Sequence, residues 1–300
     1  MALPEAAIFQ GLSWNLLSDL QQLFSYGFMV NALEAGTIVA VMAGVTGWFM
    51  VLRRQAFAGH TLSVIAFPGA AAASLAGLPL AVGYFSFCGL GALTLAGIAG
   101  SRRSHSSESA AIGSLQALAL ALGFLFVSLY HGVLNSVDSL LFGTFLGITG
   151  DQVMTLLAVA AATVAVLAGC ARPLLFASVD ADVARAAGVP TQLLEFGFLL
   201  VLGLSVAATS QITGALLVFA LLVTPAATAH QLTSRPLLGV MLSIAIALAV
   251  TWLGRARAAF SIYPVGFYVT SLAFALYVVV RLGRALSSRT QTLAPPAEAA

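Results

Sequence analysis

Residues 53–75 read RRQAFAGHTLSVIAFPGAAAASL, and this stretch guides the interpretation of the rest of the chain. It opens with two arginines, Arg53 and Arg54, that end one long apolar run, and it closes inside the next run. Paired arginines at the end of an apolar run are typical of the cytoplasmic border of a membrane helix. The following segment carries His60, Pro68 and many small residues. In a polytopic membrane protein, such a segment can bring backbone and ligand groups close to a transport pathway.

The composition places the chain in a membrane. Apolar residues make up 60% of the 300 residues, charged residues make up 7%, and the mean hydropathy is +1.03. A soluble domain of this length cannot bury so much apolar surface. All twelve basic residues are arginine, which excludes a phosphate-binding loop of the GxxxxGK[ST] type because that loop requires a lysine. This chain therefore cannot be a P-loop ATPase by itself, and we expect it not to be an enzyme.

Apolar runs with charged borders predict an all-α, polytopic membrane protein with about nine spanning helices, each of the length that a bilayer requires. The count becomes eight if one neighbouring pair forms a single broken helix. Residues 1–26 predict an amphipathic segment, 27–284 a transmembrane domain and 285–300 a disordered tail. The predicted spans are 28–52, 61–78, 79–100, 110–130, 153–169, 193–209, 212–228, 237–253 and 265–281.

The arginines predict the orientation of the chain. In the nine-span arrangement most of them fall on one side of the membrane, and the positive-inside rule assigns that side to the cytoplasm. The N-terminus is then outside and the C-terminus is cytoplasmic. Arg255 and Arg257 fall on the outer side and are the exception.

A polar segment, ASVDADVARAAGVPTQLLE (residues 177–195), separates predicted spans five and six. It is typical of a short helix of about two turns, with a capping residue, first-turn acids, a late basic residue and a terminating glycine and proline. These residues are, in that order, Ser178, Asp180, Asp182, Arg185, Gly188 and Pro190. Two interpretations remain open: a capped connector, or a coupling helix that docks onto a cytoplasmic partner.

Three stretches together resemble the permease subunit of ATP-binding-cassette importers for zinc and manganese. They are NALEAGTIVAVMAGVTGWFMVLRRQAFAGHTLS (31–63), SVDADVARAAGVP (178–190) and SQITGALLVFALLVTPAATA (210–229). The resemblance covers roughly residues 28–282, including the spacing between the stretches. It implies a permease dimer, of two copies or of two paralogues, in a bacterial plasma (inner) membrane. It also implies ABC ATPase subunits on the cytoplasmic side and an extracytoplasmic metal-binding protein outside.

The resemblance further implies the cargo and the residues that handle it. The cargo would be a divalent transition metal (zinc, manganese or iron), with no bound cofactor. The residues implied to contact the ATPase are Asp180, Asp182, Arg185 and Gly188. After the arginine pair the family commonly has G-D-x-L-S-H, whereas this chain has His60 at the aspartate position and Val64 at the histidine position. Imidazole suits zinc, copper, nickel and iron, and carboxylate suits manganese, so this change weakens a manganese assignment.

Polar residues in the spans complete the set of pathway candidates. Glu34 lies in the first span with Asn31 one turn before it on the same face. A carboxylate in lipid is costly unless it is paired or functional, although Glu34 is near enough to the outer end to snorkel. Ser63 follows His60 by one turn, and His60 can alternatively cap its helix or bond a neighbouring carbonyl. The predicted helix breaks are Pro68 and Pro225.

Two other functional classes remain as alternatives. An ion-coupled secondary transporter of a small polar substrate would carry its own coupling acids in mid-membrane and show two related halves. Only Glu34 qualifies as such an acid, and the Arg53 stretch is not repeated in the second half of the sequence. An intramembrane hydrolase would need a nucleophile and a base, and Ser63 near His60 lacks a GxSxG-like context. The expected surroundings are membrane lipid, and no nucleic-acid partner is expected.

Overall fold

The computed structural model describes residues 27–100, 105–130, 147–259, 261 and 263–292, so the predicted amphipathic segment 1–26 lies outside it. Within this part of the chain the regular structure is entirely helical, as predicted. The helices are α1 (Gly27–Leu52), α2 (Ala56–Leu75), α3 (Leu80–Gly100), α4 (His105–Leu129), α5 (Gly150–Gly169), α6 (Ala171–Val179), α7 (Ala181–Ala186), α8 (Thr191–Leu232), α9 (Pro236–Ala259) and α10 (Val265–Thr292).

The described helices include eight that are long and apolar enough to cross a membrane. These are α1 to α5, the first part of α8, α9 and α10. A shorter apolar helix, Leu217–Leu232, forms the second part of α8. The prediction of an all-α, multi-pass membrane protein is therefore confirmed, and the count lies within the predicted range of eight to nine.

The second part of α8 turns back along the first part at Gly214. This glycine has φ 75° and ψ 159°, torsions that are accessible to glycine but costly for other residues. Ser205 before the break and Leu222 after it both lie beside one turn of α1. The Ser205 hydroxyl is 3.5 Å from that of Thr46, and the Leu222 carbonyl oxygen packs against Gly47. The two parts of α8 therefore run antiparallel. They are the neighbouring pair of predicted spans that forms a single broken helix.

The predicted breaks at Pro68 and Pro225 are corrected by the structure. α2 is continuous through Pro68, and α8 is helical through Pro225, since Gly214 is its one residue with non-helical torsions. Proline is tolerated in membrane helices because neighbouring groups satisfy the freed carbonyl. The reversal in α8 uses a positive φ at Gly214, which glycine can adopt and proline cannot.

Several predicted boundaries also differ from the structure, and two of them are instructive. α2 begins at Ala56, before the predicted start at residue 61. α10 continues to Thr292, through the first part of the segment 285–300 that composition predicts as a disordered tail. Helix ends depend on hydrogen bonds that continue past the apolar stretch, so hydropathy alone places them poorly.

α1 and α2 lie at the centre of the fold. In the most apolar stretch of each, 72% of the residues are buried, against 11% in α10. Small residues bring neighbouring backbones close to α1, as is usual between membrane helices. Gly47 meets the Leu222 carbonyl of α8, and Gly44 meets the backbone of Ile244 in α9. The position of α1 is therefore determined by close contacts with both α8 and α9.

Gly47→Ala is expected to destabilise the protein by about 1–3 kcal/mol, because the added Cβ would collide with the Leu222 carbonyl oxygen. The matched control is Gly89→Ala in α3, where a Cβ would meet no atom within 4 Å. Thermal unfolding in detergent measures both variants, and only Gly47→Ala should lower the melting temperature. Equal melting temperatures for the two variants would contradict the close packing of α1 against α8.

Candidate transport pathway and coupling surface

His60 lies near the start of α2 and faces the second part of α8. Its ring centroid is 4.6 Å from that of Phe219. The preceding residue, Gly59, packs against the sulfur of Met50, which holds the start of α2 to the last turn of α1. His60 is half-buried, and its Nδ1 atom is buried without a hydrogen-bond partner.

The surroundings of His60 bear on the alternative roles predicted for it. The N-cap position of α2 is occupied by Gln55, so His60 does not cap this helix. Its Nδ1 bonds no neighbouring carbonyl. Ser63, one turn later, donates its hydroxyl to the His60 carbonyl oxygen at 2.8 Å and is buried. An unpartnered imidazole nitrogen with a hydroxyl on the next turn can bind a cation, because neutral imidazole is a common metal ligand.

Asn31 and Glu34 lie at the opposite end of α1 from His60. The Asn31 side-chain amide donates to the Ile148 carbonyl oxygen at 3.0 Å, which fixes the segment before α5. Glu34 is exposed. Met50, which contacts the residue before His60, lies about 24 Å along the helix axis from Glu34. The structure therefore does not bring the four predicted pathway residues together.

The described residues include no group of three or more His, Cys, Asp or Glu side chains that could hold a metal ion. Stable protein sites for zinc use about four ligands and keep the ion in place. A transport pathway needs weaker contacts, because binding has to be loose enough for the ion to leave. Glu34 and His60 lie at two separate depths and do not form one metal site within the described residues.

A contact that the sequence did not indicate joins the C-terminal ends of α1 and α8. The His230 Nε2 atom lies 3.1 Å from the Trp48 carbonyl oxygen. The two rings stack with centroids 5.0 Å apart. Trp48 also packs against Gly239 at the start of α9. His230 is thus a structural residue that ties the return of α8 to α1, and only the reversal at Gly214 makes this contact possible.

The predicted short helix between spans five and six is present as α7, and its cap differs from the prediction. Asp180 is the N-cap, and its Oδ1 atom accepts from the backbone N–H groups of Asp182 and Val183 at 3.0 and 2.9 Å. Ser178, the predicted cap, instead donates to the Leu174 carbonyl oxygen. The reason is that α6 occupies residues 171–179, so Ser178 already lies in a helix.

The charged face of α7 is open to solvent. The Arg185 guanidinium lies 3.4 Å from the Asp182 carboxylate, with the side chains 61% and 91% exposed, and such a pair contributes little to stability. Gly188 has φ 84°, a left-handed conformation that commonly ends a helix at glycine. α7 is therefore a short, capped helix that presents charges outward, as a docking element would.

The comparison with known proteins identifies the family. A family model described as the ABC 3 transport family matches residues 25–283. This chain belongs to that family. The earlier resemblance to permeases of metal importers is confirmed, and α1 to α10 are the helices of an ABC 3 family membrane protein.

Several relatives in this family carry names related to metal transport. The manganese transport system membrane protein MntC of Halalkalibacterium halodurans is 33% identical, over 77% of this chain and 78% of its own length. The chelated iron transport system membrane protein YfeC of Yersinia pestis is also 33% identical, over 85% of this chain and 83% of its own length.

Two solved structures share the fold. PsaBC from Streptococcus pneumoniae, in complex with Fab, superposes with a TM-score of 0.77 at 26% identity and covers 88% of this chain and 94% of its own. A transporter of metal-chelate ABC type in an inward-facing conformation has a TM-score of 0.71 at 19% identity, covers 91% of each chain, and supports the fold alone.

Asp180→Ala is expected to loosen α7, because loss of an N-cap costs about 1 kcal/mol. Hydrogen exchange at the Asp182 and Val183 amides should become faster, since these two N–H groups lose their acceptor. Asp180→Asn keeps a capping oxygen and is the matched control. Unchanged exchange at these amides in Asp180→Ala would show that α7 is held by other contacts.

Proposed function

We propose that this chain is the membrane-spanning subunit of an ABC importer and forms the translocation pathway for a divalent transition-metal ion. The observation that carries the proposal is the family match over residues 25–283, together with relatives named for manganese and chelated-iron transport. The metal is the cargo in this proposal and not a bound cofactor. Manganese, iron and zinc are the cargo candidates.

The proposed assembly has three kinds of partner. ABC ATPase subunits supply the energy, since the sequence has no lysine for a phosphate-binding loop. They would contact α7 through its exposed charges, and the predicted contact residues are Asp180, Asp182, Arg185 and Gly188. An extracytoplasmic metal-binding protein would deliver the ion, and a second permease, identical or paralogous, would complete the pathway.

We further propose that the end of the molecule that carries α7 faces the cytoplasm, in a bacterial plasma membrane. α1 and α10 run toward this end, so the N-terminal side of α1 is outside and the C-terminal side of α10 is cytoplasmic. The orientation is supported by the described arginines at this end, which are Arg53, Arg54, Arg172, Arg185, Arg235, Arg281 and Arg284.

Of the two arginines predicted on the outer side, Arg255 and Arg257, the structure explains Arg255. Arg255 is half-buried and donates to the Ala32 carbonyl oxygen of α1. Its side chain also packs against Gly36. This arginine serves the packing of α9 on α1, so it carries no information about topology.

The secondary-transporter alternative is not favoured. Such a protein requires coupling acids inside the membrane, and Glu34, the sequence's one candidate, is exposed near the outer end of α1. The family match, by contrast, covers nearly all of the described residues.

Reconstitution tests the proposed function. The chain is co-expressed with an ABC ATPase subunit and a metal-binding protein encoded beside it, and the purified complex is placed in proteoliposomes. We expect uptake of Mn²⁺, Fe²⁺ or Zn²⁺ only when ATP and the binding protein are both present. Uptake by the chain alone, driven by a proton gradient, would contradict the proposal and support the secondary transporter.

His60→Ala is expected to lower metal uptake at least about tenfold if the imidazole is a pathway ligand, since changes around metal sites cost 10–100-fold. His60→Asp should shift preference from Zn²⁺ toward Mn²⁺, because carboxylate is the harder ligand. His230→Gln is the matched control: it removes an imidazole outside the proposed pathway and retains a donor for the Trp48 carbonyl. Near-normal uptake by His60→Ala would leave His60 with a packing role against Phe219.

A further inference from the structure

Arg53 lies where three segments meet at the inner end of the fold. It follows α1 directly, and its Nη1 atom donates to the Ser178 hydroxyl in α6 at 3.5 Å, the outer limit of a hydrogen bond. Its guanidinium carbon is 5.4 Å from the centre of the Phe198 ring in α8, within the range of a cation–π contact. The side chain is half-buried, and its Nε atom is buried without a hydrogen-bond partner. Arg53 therefore contacts both α6 and α8.

Glu195 is the acidic group whose charge acts on this arginine. Burial lowers the pKa of the Arg53 guanidinium, and the Glu195 carboxylate opposes that shift, so the two groups interact electrostatically. Gln55 donates its side-chain amide to the same carboxylate at 3.4 Å. Glu195, in the first turns of α8, thus interacts with the α1–α2 turn through a hydrogen bond from Gln55 and through its charge on Arg53.

The contacts of Arg53 lie on either side of α7 in the sequence. Ser178 lies two residues before Asp180, the cap of α7, and Phe198 follows Gly188, where α7 has ended. α7 itself is mostly exposed, with Ala184 as its buried residue. A displacement of α7 by a docked partner would therefore move segments that the α1–α2 turn holds on both sides.

On its C-terminal side, the α1–α2 turn leads into α2, which carries His60 of the proposed pathway. Arg54, with φ 59°, makes the tight turn between α1 and α2. Gly59 and His60 lie in the first turns of α2, and Gly59 packs against Met50 in the last turn of α1. Because α2 follows the turn so directly, a shift of Arg53 relative to α1 changes the position of His60 against Phe219.

We propose that Arg53 is a positioning residue that transmits movement of α7 to the α1–α2 turn, and through it to His60. The inference rests on the proposed function, since it requires an ATPase that displaces α7. The physical basis is that Arg53 contacts Ser178 and Phe198, that Gln55 contacts Glu195, and that the start of α2 follows this turn directly.

The test compares two neighbouring arginines in the reconstituted complex with ATPase and binding protein. Arg53→Gln retains a hydrogen-bond donor for Ser178 and loses the charge that faces Glu195 and Phe198. Arg54→Gln removes an exposed charge and is the matched control. The measured quantity is metal taken up per ATP hydrolysed, with Mn²⁺, Fe²⁺ and Zn²⁺ as probes. We expect this ratio to fall about tenfold in Arg53→Gln, a normal size for coupling between sites, and to stay unchanged in Arg54→Gln.

Two further variants separate positioning from folding. Arg53→Lys keeps the charge and should recover part of the ratio. Glu195→Gln keeps an acceptor for Gln55 and removes the charge, so it should also lower the ratio. If Arg53→Gln fails to insert, Glu195→Gln decides the question. In every variant the ATPase subunits should still co-purify with the permease.

Two results would overturn the inference. The first is a ratio of metal taken up per ATP hydrolysed that is the same in Arg53→Gln as in the Arg54→Gln control. If Arg53→Gln does not insert, the same comparison is made with Glu195→Gln. The second is loss of the ATPase subunits from the Arg53→Gln complex, which would mean that Arg53 only maintains the docking surface. Failure of the proposed function looks different, because the unaltered chain would then neither retain an ATPase nor take up metal when ATP is supplied.

Discussion

The close approach of α1 to both parts of α8 and to α9 is the constraint on which the rest of the structure depends. In lipid, apolar side chains gain little by exchanging lipid tails for another helix, so association relies on close packing and on internal hydrogen bonds. Gly47 supplies the packing, because the Leu222 carbonyl occupies the space that a side chain would fill. Thr46 and Trp48, on either side of it, supply polar contacts with Ser205 and His230. One turn of α1 thus holds both parts of α8.

This arrangement explains why the candidate functional residues separate into two levels. Because α1 crosses the whole molecule, Asn31 and Glu34 lie near its N-terminal end, while His60 follows its C-terminal end. Arg53, which precedes His60 in the sequence, contacts α6 and α8, the helices on either side of α7.

The sequence predicted the membrane class, the spans and the capped helix, because these features depend on local properties. The sites were predicted less completely. Ser178 resembles an N-cap in sequence, but it already lies in α6, and Asp180 has the role. Pro225 is the usual signal for a broken helix, whereas the break is at Gly214, which adopts a positive φ. Glu195 is not singled out by any sequence pattern, and only the fold brings it within hydrogen-bond distance of Gln55.

The sequence by itself determined that the chain is helical and membrane-embedded, where its arginines concentrate and which family it resembles. The physical reason is that hydropathy, helix length and short motifs are properties of contiguous residues. The tertiary structure decided that α8 reverses at Gly214, that Asn31 and Glu34 are remote from His60, and that Arg53 joins α6 to α8. These features depend on contacts between residues far apart in the chain, which local patterns do not encode.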